Sequence, residues 1–168
     1  MSADGVWIRQ ISSDEIDIFR RIRLEALRTE PSSFASRFEG WAVLSDDEWR
    51  RRLNDPVFIA FSGDEPIGMM GLLRQRPAKM AHRATLVMVY LRESFRRTGL
   101  AGDLLSAVVD FAKETDILQL ELAVSAENPQ AIGFYLREGF SEVGIIPGGL
   151  LDGDREIGEI LMVRRLVG

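Results

Sequence analysis

The 168-residue chain has no cysteine, a single histidine and two tyrosines. Without cysteine it can build no disulfide framework, no thiolate metal site and no cysteine nucleophile. One histidine and scattered carboxylates give no metal-ligand spacing, so no metal is expected. No apolar run approaches the ~20 residues of a membrane-crossing helix. The opening "MSADGVWIRQ" lacks the apolar core of a secretory signal, so a cytoplasmic protein is expected. Positive charge is short too: 21 Lys and Arg against 26 Asp and Glu leave a net charge of −5. That balance argues against nucleic acid, whose phosphates call for a basic face. It suits a cationic or amine ligand, and equally a surface that serves only solubility. Neither G-x-G-x-x-G nor G-x-x-x-x-G-K-[ST] occurs, which excludes the common dinucleotide and P-loop sites.

Hydrophobic residues at 46% and charged residues at 28% describe one globular domain spanning 1–168, long enough to bury a core without staples. "VWIRQI" (6–11) alternates as a strand, and Ser12 with Glu15 forms a capping box that opens a helix. Ile18, Phe19, Ile22, Ala26 and Leu27 share one face of that helix, and Pro31 closes it. A second box, Ser45 with Glu48, opens a short helix "DDEWRRRL". "VFIAFS" and "IGMMGLLR" read as a hairpin turning at Gly63 and Asp64. "ATLVMVYL" (84–91) is a buried strand, and "LLSAVVDFAKE" (104–114) is an amphipathic helix. "ILQLELAV" (117–124) is another strand. Asn128 and Pro129 then start a helix that ends at Gly139. Two last strands, "FSEVGII" and "EIGEILMVRRL", flank a loop "PGGLLDGD". The order β-α-α-β-β-β-α-β-α-β-β predicts an α/β domain with a mixed sheet.

Between the buried strand and the helix lies "RRTGLAG", Arg96 to Gly102. Glycines there allow close backbone approach, and a first helical turn offers unpaired N–H groups, so the stretch reads either as an anion site or as a tight connection. The spacing R-x-x-G-x-A (Arg96, Gly99, Ala101) after a strand is followed some thirty residues on by "ENPQAIGFYLREGF". Together they resemble the GNAT superfamily of acyl-CoA N-acyltransferases, with [QR]-x-x-G-x-[GA] at the pyrophosphate turn and N-x-x-A-x-x-[FL]-Y-x-x-x-G-F on the next helix. The likeness is specific over 84–144 and looser towards the ends.

The resemblance implies a mostly antiparallel sheet of about seven strands flanked by helices, with a splayed parallel pair that holds acetyl-CoA. The pantetheine arm would pair with backbone at Met88, Val89, Tyr90 and Leu91, and a freed N–H there would face the developing oxyanion. The pyrophosphate would rest on Arg96, Arg97, Thr98, Gly99, Leu100, Ala101 and Gly102. Asn128, Ala131 and Phe134 would touch the cofactor. Tyr135 would lie beside the sulfur, a phenol able to protonate the departing thiolate. Direct transfer to a primary amine of a small molecule or peptide fits a chain with no cysteine. A protein N-terminus or lysine as acceptor, or an acyl-CoA-binding sensor without turnover, are the alternatives. Thr85 stands where the family often has a glutamate base, which leaves Glu121 and Glu39 as candidates. Phe34 and Glu39, in the substrate-side segment with Phe38 and Trp41, would suit an amine with an apolar body near an acidic rim. The last strand, "EILMVRRLVG", offers an edge for a homodimer.

Overall fold

The computed structural model describes residues 5–166. The start of "MSADGVWIRQ" and the final two residues of "EILMVRRLVG" lie outside the described residues. Among the described residues, seven strands and five α-helices are ordered β1 (Val6–Gln10), α1 (Ile16–Thr29), α2 (Phe38–Ala42), α3 (Asp46–Arg52), β2 (Val57–Ser62), β3 (Glu65–Arg74), β4 (Arg83–Leu91), α4 (Leu100–Glu114), β5 (Gln119–Ser125), α5 (Pro129–Arg137), β6 (Ser141–Asp152) and β7 (Arg155–Arg165). The sheet order is β1-β2-β3-β4-β5-β7-β6. The described residues divide into two compact units, those up to 73 with 86–115, and 74–85 with those from 116 onward.

In the first unit, β2 is buried along most of its length because it packs on both sides. Val57, Ile59 and Phe61 join Ile16, Phe19, Ile22 and Ala26 of α1 in one apolar cluster. Phe58, on the opposite face by the two-residue period of a strand, meets Phe111 of α4 edge-on at 5.6 Å. Trp49 of α3 closes the α1 side against Phe19 and Trp41. The hairpin turns at Gly63 and Asp64 as the sequence indicates.

Three local expectations are corrected. Helix α1 starts at Ile16, not directly after Ser12, because Glu15 is the N-cap and its carboxylate is already engaged. That carboxylate accepts the Ser12 N–H at 2.9 Å and takes Arg9 bidentately, which holds it as an anion down to about pH 2. Helix α4 begins earlier than 104, at Leu100, so three of the seven residues of "RRTGLAG" are helical. The loop "PGGLLDGD" is largely strand: β6 continues through it with a register shift between Ile146 and Leu150, where Pro147 sits on the edge strand of the sheet.

In β4, Met88 has φ +54, a left-handed conformation rare for a residue with a side chain. Its neighbours give way to it: a Cβ on Gly71 would stand 2.6 Å from the Met88 Cε and 3.1 Å from Val87 Cγ2. Gly68 is tighter against backbone, since a Cβ there would lie 3.0 Å from the Tyr90 carbonyl oxygen. Gly68→Ala is therefore expected to cost about 1–3 kcal/mol in urea unfolding by pushing β4 out of place. An unchanged midpoint would show that β4 yields freely.

In the second unit, β4 pairs with β5 in parallel over Arg83↔Gln119, Ala84↔Leu120 and Thr85↔Glu121. β5 and β7, then β7 and β6, are antiparallel. Leu120, Leu122 and Val124 are buried on one face of β5, as strand alternation requires.

Candidate active site

The turn after β4 opens the N-terminus of α4. Gly99 is the N-cap of α4 at φ +86, and nothing lies within 4 Å of where its Cβ would be. Asp103 is the first residue to donate into the helical ladder, to the Gly99 carbonyl at 3.1 Å. Leu100 N–H turns instead to Thr98 Oγ1 at 3.4 Å, while the amides of Ala101 and Gly102 lie in the first turn, which has no ladder acceptors. The helix dipole adds positive potential at this end. Arg97, at φ +62, is exposed and forms no ion pair among the described residues. Arg96 serves differently: its Nε donates to the Leu91 carbonyl at 2.8 Å and its guanidinium pairs with Glu30, so it fastens the turn to the end of α1.

Along β4, Tyr90 is buried and its hydroxyl donates to Glu25 Oε2 at 2.9 Å. Arg92 grips the same carboxylate through two bonds, at 2.8 and 2.6 Å. Burial acts to raise the Glu25 pKa, but the bonds from Arg92 and Tyr90 prevail and hold it below the usual carboxylate range. Glu25, Glu30 and Arg92 escape a reading by motif because they touch no pattern of their own; only the packing of α1 on β4 reveals them. Val89 and Leu91 complete the strand, half-buried and buried.

In the second unit Asn128 caps α5, accepting the Ala131 N–H at 3.2 Å, and Pro129 takes the first helical position. The helix ends in a Schellman motif: Phe140 N–H donates to the Tyr135 carbonyl at 3.0 Å and Gly139 N–H to Leu136 at 3.3 Å, with Gly139 at φ +89. The "FYLREGF" spacing thereby clamps Tyr135, whose ring lies edge-on to Phe134 and Phe140. Burial raises its pKa well above that of an exposed phenol, so it stays protonated at any working pH. Glu121, by contrast, receives Arg83 bidentately and Gln119 Nε2 at 2.8 Å. Arg83 first, then Gln119, hold its carboxyl below the usual range despite burial, a poor arrangement for taking a proton from an ammonium.

The substrate-side segment is not the acidic rim its sequence suggests. Arg23, in α1, is 3% exposed, with its guanidinium 4.4 Å from the Trp41 ring and 5.0 Å from the Phe34 ring. Burial lowers its pKa to about 10, so it stays cationic near neutrality. Arg52 covers Trp41 at 4.9 Å and Arg28 covers Phe38 at 4.9 Å. Glu39 is exposed in the first turn of α2. One signal for Arg23 was legible: 19, 22, 23, 26 and 27 form the apolar stripe of α1, and an arginine occupies one of its places.

Residues 19–140 match the model of the Acetyltransferase (GNAT) family. The chain belongs to this family. The GNAT fold is equally clear from solved structures. A GNAT acetyltransferase from Streptococcus pneumoniae superposes with a TM-score of 0.84 at 20% identity, covering 95% of this chain and 99% of that one. YncA of Salmonella typhimurium, solved with its cofactor acetyl-CoA, superposes with a TM-score of 0.82 at 15% identity over 97% of this chain and 95% of its own. By sequence, an uncharacterized N-acetyltransferase from Methanocaldococcus jannaschii is 26% identical over 145 residues, 85% of this chain. The chain spans 64% of that relative's length. GNAT acetyltransferases take an acyl group from acyl-CoA and pass it to amines. Among the described residues no three metal-ligating side chains gather, and no helix is long and apolar enough to cross a membrane.

Proposed function

We propose that this GNAT protein transfers the acetyl group of acetyl-CoA directly to a primary amine of a small molecule or peptide, with Tyr135 as the proton donor. Tyr135 carries the reading: a ring fixed by the Schellman turn, and a hydroxyl that burial keeps protonated. In the transfer the neutral amine attacks the thioester carbonyl and the C–S bond breaks. The sulfur takes the Tyr135 proton, and the one proton the amine loses on becoming an amide returns through solvent to the phenolate.

The pyrophosphate would take the amides at Ala101 and Gly102 and the side chain of Arg97, and the pantetheine arm the β4 backbone from Met88 to Leu91. The strained φ of Met88 supports that placement, because such conformations persist where the backbone is held for a purpose. Asn128, Ala131 and Phe134 complete the cofactor side. Phe34 would wall the acceptor, and Glu39, exposed and free of ion pairs among the described residues, is the retained candidate base. The family match takes in parts of both compact units, which supports one working domain. We also place the protein in the cytoplasm. The last strand offers no edge, since β7 lies between β5 and β6; exposed Val143, Ile145, Ile146 and Leu151 on the edge strand β6 instead support a homodimer built there.

The test is release of free CoA from acetyl-CoA across amines, amino acids, polyamines and peptides, with acetyl-CoA affinity measured by calorimetry. Binding together with turnover on one amine class is expected. Tight binding without any turnover would favour the acyl-CoA-binding sensor, and absence of binding would defeat the reading of the Arg96–Gly102 turn.

A further inference from the structure

Buried arginines in this chain have acids to spare, since Asp and Glu outnumber Lys and Arg by 26 to 21. The partly buried ones use them: Arg92 takes Glu25, Arg96 takes Glu30, and Arg83 takes Glu121. Arg23 is more deeply buried than any of these and has none among the described residues. Its Nε and Nη1 are sealed from solvent and donate to no protein group among the described residues. The rings of Phe34 and Trp41 lie over its guanidinium. A ring satisfies the face of a guanidinium by cation–π attraction, but the N–H donors point outward in its plane and remain unspent. Nε and Nη1 lie on different edges of the guanidinium, and a carboxylate takes either of them together with Nη2, as Glu121 and Glu25 take the Nε–Nη2 edges of Arg83 and Arg92.

The surroundings repeat the sign. Arg52 stacks on the same Trp41 and Arg28 on Phe38, and neither forms an ion pair among the described residues. In a chain with a net charge of −5, this aromatic segment thus carries local positive charge. A plain alkylammonium would be repelled by it; a molecule that also bears an anionic group would be drawn in.

We infer that Arg23 anchors a carboxylate on the acceptor, so that the amine acetylated belongs to a carboxylate-bearing molecule of amino-acid size. This rests on the acetyl-transfer reading above. The small size follows from burial: a guanidinium that is 3% exposed admits a compact group, not a chain.

The experiment compares each common α-amino acid with its carboxamide, which keeps the amine and removes the negative charge. CoA release gives KM and kcat; quenching of tryptophan fluorescence, with Trp41 against Arg23, gives binding without acetyl-CoA, and Trp41→Phe identifies its source. Carboxylates are expected to show a KM at least about tenfold below that of their amides with similar kcat, and to move the fluorescence where amides do not. Arg23→Met should erase both differences, and Arg23→Lys should keep part of them, because it retains charge without the planar fork. The melting temperature of Arg23→Met should not fall, since an apolar side chain replaces an unpaired buried charge. Equal KM for acids and amides in the wild type, which needs no variant to fold, would overturn the inference while leaving acetyl transfer intact. A fluorescence response to carboxylates with no CoA release from any acceptor would support the anion site and defeat the transfer reading. Turnover confined to peptides with no free carboxylate would also overturn it.

Discussion

Tyr135→Phe is expected to lower kcat by about 10²–10⁴-fold while the affinity for acetyl-CoA stays within about twofold of wild type. The thiolate leaving a thioester belongs to a thiol of pKa near ~8.5, and it departs more easily if a proton reaches the sulfur as the bond breaks. Tyr135 is fitted for this because burial keeps its hydroxyl neutral where an exposed phenol would begin to ionise. The substitution removes one oxygen and leaves the edge contacts to Phe134 and Phe140, so any loss belongs to the proton and not to the fold.

The pH dependence follows with a definite sign. In the native state the Tyr135 pKa lies above its unfolded value of ~10, so its contribution to stability is complete below that pH and declines above it. Wild-type activity should rise through pH 7–10 as the amine deprotonates, with no alkaline fall due to Tyr135. Above pH 10 the wild type should lose stability faster than Tyr135→Phe. Stopped assays across pH 6–10 and urea melts at pH 9 and 11 check both. Unchanged kcat in the mutant would remove Tyr135 from the chemistry.

Gly99→Val is expected to weaken acetyl-CoA binding by about 10–100-fold and to cost about 1–3 kcal/mol of stability. The obstacle is conformation, not crowding. Nothing lies within 4 Å of the position a Cβ would take, but φ is +86, where a β-branched residue is a true outlier. To relieve that strain the N-terminus of α4 must rotate, and the Ala101 and Gly102 amides with it. Gly99→Ala should show the same effects at smaller size. Calorimetric titration with acetyl-CoA and thermal unfolding separate the two consequences. Valine at 99 with native affinity would show that the cofactor does not use this turn.

Much of the fold is written locally in the chain. The period-two and 3.6-residue patterns located the strands and the long helices, the "GD" turn set the β2–β3 hairpin, and Asn128-Pro129 with Gly139 bounded α5. Boundaries moved where a side chain had a second use. Glu15 makes its part of the box, accepting the Ser12 N–H while also holding Arg9, but it is itself the N-cap, so α1 starts at Ile16. "PGGLLDGD" reads as a loop by composition, yet an edge strand tolerates proline and a register shift.

The candidate site divides along the same line. The Arg96–Gly102 turn, Asn128 and Tyr135 lie in contiguous motifs, so the family resemblance that proposes them is readable over short spans of sequence. The state of each charge did not follow from sequence. Whether Arg96 faces solvent or fastens Glu30, whether Glu121 is free or bound to Arg83, and whether Arg23 has a partner depend on residues many positions apart. Sequence determined which local structures and which turn chemistry this protein has, because those interactions span a few residues. Tertiary structure decided which acids and bases meet and what remains unpaired, because burial and charge pairing are set only when distant segments pack.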